Sequence, residues 1–584
     1  MIVLLGAALC WPLPTAPADS YVHGWFSMAQ ISSMDLAADS LLQDGRAPGL
    51  STVLHWPIGG WLSIIGWQYI LPLVATNALG CGLLPSMNLL IAIQLLAAAL
   101  ATFTLLRRLG VGHWPAAAVA VYYGYHPFVF HLLYNGQFSE VAHWGLPALA
   151  LLMLGGAAWK PGWRTIALGL LFGLLTASSP YSAITGAILC ALVGCWALAR
   201  SEGAQRRSTV RSLALAAGAV ALGALPFILY YGIFSQGHDL LFKPNDLATV
   251  GDPRTQDLPG IASLVGWFVP FRFFKGHWEA TGGAPMVHGG IRTTTMALDH
   301  TIGLTALVLA GVGWRRWHAG GITTSTIPLP GRRFWLICAA TFLGVSSGYY
   351  LMLYPTAHIH MPSSALPLPL LAVLEAVPSA KAFAAPYRAA PGVLLAVAVL
   401  AGFGLERLTE SLKGWKRAAL VAGAILAITA EGAWADITPH PLVMTPFEMP
   451  QVYRDLAKHD DGEGLLTIPF WAHPTIPNQQ IHQLWQRYHG HPLHMSDQGI
   501  IEQRHLTRFT HDLQVAMGCE VPSAPTVPSD GAPARWIVVH GAAVMPHQRS
   551  ALDRILRDHA DLIRLYDHDG TELWEVRTDA MMRY

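Results

Sequence analysis

A chain of 584 residues that is 53% hydrophobic and only 12% charged carries more apolar side chain than a soluble core of that length can bury. A net charge of +1, with no run of Lys or Arg, excludes nucleic acid as a partner. The six cysteines show neither a disulfide framework nor zinc spacing.

Apolar windows that end in charge or in Pro and Gly clusters predict about 11 membrane helices. They fall near residues 1 to 14, 87 to 106, 114 to 133, 141 to 158, 164 to 179, 181 to 199, 212 to 233, 299 to 314, 334 to 352, 389 to 405 and 418 to 434. Basic residues gather in alternate loops, at Arg107 and Arg108, at Arg200 to Arg211, at Arg315 to Arg333 and at Arg407 to Arg417. Positive loops stay in the cytoplasm, which puts the N-terminus inside and everything after residue 434 outside. The first apolar stretch has two readings. It is either a retained span or, since Ala16-Pro17-Ala18 has the small-residue pattern of a cleavage site, a leader cut before Asp19.

Three outer loops are long: residues 15 to 86, 234 to 298 and 353 to 388. In the first, Val22, Trp25, Phe26, Ile31, Met34, Leu41 and Leu42 recur at near-helical spacing, which predicts a helix lying in the membrane interface over residues 20 to 44. The chain divides at 434 to 435, since composition turns soluble beyond that point, where 13 of the 26 histidines lie. Short helices are predicted at 450 to 459 and 547 to 559, strands at Leu465 to Ile468 and Trp536 to Val539, and a closing hairpin at Leu562 to Tyr566 and Glu572 to Val576. Residues 435 to 584 thus read as a small soluble α/β domain following a membrane module of residues 1 to 434. The many histidines here match no ligand template and read as a hydrogen-bonding surface.

Four groups of residues have the chemistry of a site. Asp19 follows the first apolar stretch directly, so its carboxylate at the outer surface is placed to take a proton from a hydroxyl beside a lipid-borne donor. The alternative is a helix cap. Tyr21, His23, Trp25 and, further on, His55 and Trp56 offer rings for a sugar or lipid to stack on. On the next outer turn His126, His131, Gln137, Glu140 and His143 cluster. Glu140 and His143 stand three apart, a spacing for one divalent cation, Mg or Mn, unless Glu140 merely caps the following span. Arg272, Lys275, Arg292, Lys381 and Arg388 lie on outer loops otherwise poor in positive charge, where a lipid phosphate would need them. Each taken alone reads equally as a snorkelling residue.

The order of these features resembles the GT-C superfamily of integral membrane glycosyltransferases, in particular bacterial members with a periplasmic tail. The likeness rests on Asp19, on His55-Trp56-Pro57-Ile58-Gly59, on Asn135-Gly136-Gln137 through Glu140 to Leu146-Pro147, and on Ala384-Ala385-Pro386-Tyr387-Arg388 running into the tenth span. Three departures stand out: Ala384 where the late loop usually has Arg, Ala18 where Gly usually precedes the acid, and no second carboxylate beside Asp19.

The resemblance implies a polytopic α-helical bundle with an interfacial helix, embedded in the cytoplasmic membrane. It implies an inverting enzyme that moves a sugar from a polyprenyl-phosphate donor to a hydroxyl of a glycan, lipid or protein outside. Asp19 would be its base, with Glu140 a second catalytic candidate. Two other classes compete. A non-catalytic scaffold that binds glycan would explain the missing Arg at 384. A transporter of lipid-linked glycans would need ionisable residues at mid-membrane, where the predicted spans read as free of charge.

Overall fold

The computed structural model describes residues 1–15, 19–22, 27–43, 50–51, 60–61, 66–134, 136–154, 162–237, 267–268, 301–316, 331–348, 386–435, 442, 444–459, 463–468, 485–486, 488–489, 491–493, 508–516, 534–541, 544, 546–559, 561–568 and 571–577. His23, Trp25, His55, Trp56, Arg272, Lys275, Arg292 and Lys381 lie outside the described residues.

The protein is mostly helical and belongs to the membrane. After α1 (Ile2–Leu9), the segment over residues 15 to 86 forms β1 (Ser20–Val22), α2 (Ser27–Gln43), the paired strands β2 (Leu50–Ser51) and β3 (Gly60–Trp61), and α3 (Trp67–Ala78). Then come α4 (Leu83–Arg108), α5 (His113–Gly124), α6 (Pro127–Tyr134), α7 (Gly145–Leu154), α8 (Trp163–Ser178), α9 (Pro180–Ala199) and α10 (Gly203–Gly237). They are followed by α11 (Leu304–Arg316), α12 (Arg332–Ser346), α13 (Ala390–Thr409) and α14 (Gly414–Ala435). Among the described residues, four helices are long and apolar enough to cross a bilayer: Leu83–Arg108, Pro180–Ala199, Arg206–Leu229 and Pro386–Thr409. Other predicted spans are met by shorter helices, and the reasons are local. The window at 114 to 133 is split into α5 and α6 because Pro127 cannot continue α5. The window at 141 to 158 begins with a 3-10 turn, Phe138–Trp144, kinked at Ala142.

Two expectations need correction. Residues 20 to 22 form a strand, and the helix predicted over residues 20 to 44 runs over Ser27–Gln43. The spans are also not free of charge, since Glu431 lies within α14. Its carboxylate accepts from the Thr305 N–H (2.9 Å) and hydroxyl (2.7 Å) in the first turn of α11. It satisfies a helix end rather than offering a transport site.

The α11 and α13 pair packs backbone to backbone. A Cβ on Gly404 would stand 1.9 Å from the Leu309 carbonyl oxygen, and one on Gly313 would stand 2.0 Å from that of Leu400. Gly404→Val is therefore expected to force these helices apart and cost about 1–3 kcal/mol or more. A lowered unfolding midpoint in detergent would show it, and an unchanged midpoint would refute this packing.

Beyond α14 the chain forms α15 (Gln451–Leu456), α16 (Arg508–Ala516), α17 (Pro546–Asp558) and a four-stranded sheet. The sheet has β5 (Leu465–Ile468) parallel to β6 (Trp536–His540), β6 antiparallel to β8 (Thr571–Val576), and β7 (Leu562–His568) hairpinned to β8. The apolar runs expected as buried strands are buried: Leu465, Leu466 and Ile468 face Trp536 to Val539 in register.

One link was not expected. Strand β1 (Ser20–Val22) pairs antiparallel with β4 (Met444–Pro446), Tyr21 opposite Thr445. Nearby, the Leu442 N–H donates to the Trp11 carbonyl oxygen. The segment after α1 and the C-terminal region are therefore joined by main-chain hydrogen bonds.

In that region His489 is 4% exposed and accepts the His491 N–H at its Nδ1 (3.1 Å). Burial, helped by the neighbouring His491, holds its pKa down to about 3 from an ordinary 6.5. The stability that a neutral His489 gives is whole above about pH 6.5 and is lost as pH falls toward the folded value. The C-terminal region is expected to lose roughly 2 kcal/mol between about pH 7 and pH 5, with a shallower slope in His489→Leu. Equal slopes in thermal unfolding of the two proteins would refute it.

Candidate active site

Asp19 is exposed at the head of β1 while its backbone is fixed. Its carbonyl oxygen accepts the Phe447 N–H, and the next carbonyl, of Ser20, accepts Asn88 Nδ2 at 2.9 Å. Asn88 is a buried polar residue in the long span α4, and an amide there must find a partner. Strand pairing and Asn88 thus hold the main chain, while the side chain is left exposed. Tyr21, expected as a stacking ring, is instead buried at 4% exposure, its hydroxyl bonded to Thr445.

The first loop reaches the turn between α6 and α7. The side chain of Gln68, on α3, donates to the Ser139 carbonyl oxygen (3.0 Å), and Gln30, on α2, accepts the Ser139 N–H (3.4 Å). Gln68 is tied in turn to Gln94 of α4, whose side-chain oxygen accepts Trp144 Nε1. The buried glutamines therefore lock the turn that carries Glu140 against the loop that carries Asp19.

Glu140 does not pair with His143. Its carboxylate receives the Ser179 hydroxyl at 2.9 Å from both oxygens and Arg388 Nη1 at 3.0 Å. The reason lies in two helix starts. Ser179 caps α9, accepting the Tyr181 N–H (3.1 Å) with Pro180 in the first turn, and a carboxylate is favoured beside that positive helix end. Arg388, in the 3-10 turn Pro386–Ala389, sits at the N-terminal end of α13, where a cation is disfavoured unless an anion offsets it. Its guanidinium also lies 4.3 Å over the Tyr181 ring and donates through Nε to the Tyr387 hydroxyl (3.4 Å). Nη2 is left for a further oxygen. Tyr387 donates to Gln137 (3.3 Å), closing the network.

His143 donates from Nδ1 to the Val141 carbonyl oxygen (2.8 Å), and the kink at Ala142 turns it away from the Glu140 carboxylate. Glu140, His143 and Arg388 line a cavity of about 20 Å³, room for roughly one water. Among the described residues no three His, Cys, Asp or Glu side chains converge on a point. The guanidinium already neutralises Glu140, so the residues present do not fit a divalent cation at Glu140 and His143.

A second cavity, about 610 Å³, opens between α1, α5, α6, α11 and α14. Leu9, Trp11, Tyr125, Phe130, Ile302 and Ile428 make it apolar, and Glu431 supplies a carboxylate in its wall. Such a space suits a hydrocarbon chain.

Ser179, Tyr181 and Tyr387 were not foreseen. A Ser before Pro suits a helix start, but nothing local tells which carboxylate such a cap will hold. Asn88, Gln68 and Gln94, polar residues in apolar surroundings, were legible signals that the span assignment passed over.

No protein-family model matches the sequence, and no curated protein matches it. Solved structures do. The chain superposes on the arabinofuranosyltransferase AftD from Mycobacteria with a TM-score of 0.57 at 15% identity, covering 98% of this chain and 39% of that one. A variant of the same protein gives 0.55 at 15% identity, covering 98% and 41%. The oligosaccharyltransferase from Archaeoglobus fulgidus gives 0.46 at 12% identity, covering 98% and 72%. The chain spans about two fifths of the AftD structures it matches. The likeness to AftD shows that this chain shares the fold of the part of that structure it spans.

Proposed function

We propose that the protein is an inverting glycosyltransferase. It moves a sugar from a polyprenyl-phosphate donor to a hydroxyl of a glycan, lipid or protein on the outer face of a bacterial cytoplasmic membrane. In this reading the membrane module, residues 1–434, crosses the bilayer about 11 times, and residues 435–584 form a domain outside. The observation that supports it most is the exposed Asp19 carboxylate on a backbone fixed by Phe447 and Asn88, within a GT-C fold.

Asp19 accepts the proton of the acceptor hydroxyl as that oxygen bonds to C1 of the sugar from the face opposite the phosphate. The bond between C1 and the phosphate oxygen breaks, and the lipid phosphate leaves as an anion, so the anomeric centre inverts. The proton on Asp19 passes to water. Arg388, held by Glu140 and Tyr387, offers Nη2 to a phosphate oxygen, and its planar fork suits that geometry. Glu140 is then the residue that orients Arg388 rather than a base. The apolar cavity lined by Trp11 and Phe130 takes the donor chain. No step is routed through a metal.

The test is transfer by the purified protein in nanodiscs from radiolabelled polyprenyl-phosphate sugars, arabinofuranose among them, to an envelope acceptor extract. Label reaching the acceptor with inverted configuration supports the reading. No transfer from any donor by a monodisperse sample refutes it and favours the scaffold.

A further inference from the structure

We infer that Phe447 and Tyr488 form a subsite for a sugar ring of the acceptor, beside Asp19; this rests on the transfer reading of Asp19. The residue whose N–H holds the Asp19 carbonyl is Phe447, and its ring stacks on Tyr488 with centroids 5.0 Å apart and planes 30° from parallel. Tyr488 is 46% exposed. Trp485 Nε1 donates to the Glu448 carbonyl oxygen at 3.0 Å, and the Trp485 ring packs on buried Tyr453 at 4.7 Å. An exposed aromatic ring packed on Phe447, whose N–H holds the candidate base, loses little entropy when a ligand covers it.

The occupant follows from the charges around it. Asp19 and Glu448 are both exposed carboxylates, acceptors only, flanking Phe447. They repel a lipid phosphate and attract hydroxyl donors. A sugar presents what this surface takes: a C–H face for the aromatic ring and a rim of hydroxyls for the carboxylates. The phosphate-bearing donor belongs elsewhere, toward Arg388, so the ring on Tyr488 is that of a glycan acceptor. The acceptor class thereby narrows from any hydroxyl to a glycan.

Saturation-transfer NMR on the full chain in nanodiscs, with a panel of methyl pentosides, methyl hexosides and their disaccharides, tests the subsite without needing turnover. Wild type is expected to saturate the ring C–H protons of at least one glycan. Tyr488→Ala should weaken that binding about tenfold, while Tyr488→Phe stays within about twofold, because the ring face and not the hydroxyl makes the contact. Asp19→Asn should still bind while transferring about 10²–10⁴-fold more slowly. An unchanged unfolding midpoint in Tyr488→Ala removes misfolding as the cause. Equal affinity in wild type and Tyr488→Ala, or no glycan bound at about 10 mM, overturns the subsite. Tyr488-dependent binding by a protein that transfers no sugar keeps the subsite and overturns the transfer reading alone.

Discussion

Asp19→Asn is expected to lower kcat for sugar transfer by about 10²–10⁴-fold with the fold intact. The separation of role from structure is what makes this a sharp test. The hydrogen bonds described for residue 19 and its neighbour run through their main chain: the Asp19 carbonyl with Phe447, the Ser20 carbonyl with Asn88, and the strand Ser20–Val22 with Met444–Pro446. An amide in place of the carboxylate removes none of them. Asp19→Glu keeps the charge but moves it by one methylene, so it should recover part of the rate, since proton transfer depends on reach. Transfer by Asp19→Asn at the wild-type rate would discard Asp19 as the base. A fall in the unfolding midpoint that parallels the loss of rate would mean that the side chain is structural.

Arg388→Ala is expected to be the most destabilising change at the site, at about 3–5 kcal/mol. The Glu140 side chain is 7% exposed and that of Arg388 20%, so removing the guanidinium leaves a carboxylate enclosed with only the Ser179 hydroxyl to hold it. Arg388→Lys retains the charge yet loses the Nε bond to Tyr387 and the flat contact with Tyr181, and should fall between wild type and Ala. Removing both charges separates structure from chemistry. Glu140→Gln with Arg388→Met is expected to restore most of the midpoint, because no buried charge is left unpaired, while transfer stays lost for want of a phosphate ligand. A double variant as unstable as Arg388→Ala would refute the account of the pair. One that transfers normally would remove Arg388 from the donor site.

Both residues were picked out from the sequence, but for different reasons and with different success. Asp19 was legible because position alone makes a carboxylate after an apolar stretch unusual, and in the structure the residue is exposed. Arg388 was legible as positive charge on an outer loop that topology should keep poor in it. Its partner was not, because residues 140 and 388 are 248 apart and no local pattern joins them. Glu140 was paired with His143 on the assumption of one helical face. The kink at Ala142 and the pull of the helix end at Ser179 decided otherwise.

The same division runs through the whole chain. Hydrophobic content and the period of the apolar residues determined a lipid-embedded helical protein, the places where its helices run, and the strands and helices of its C-terminal region. These follow from burial of side chains one segment at a time. The tertiary structure decided which polar groups meet: Asn88 with Ser20, Gln68 with Ser139, Glu140 with Arg388, and the strand at Ser20 with the strand at Met444. Apolar burial is indifferent to partner. A buried hydrogen bond or ion pair is directional and costly to leave unmade, so it is satisfied only by the group that the folded chain brings within about 3 Å.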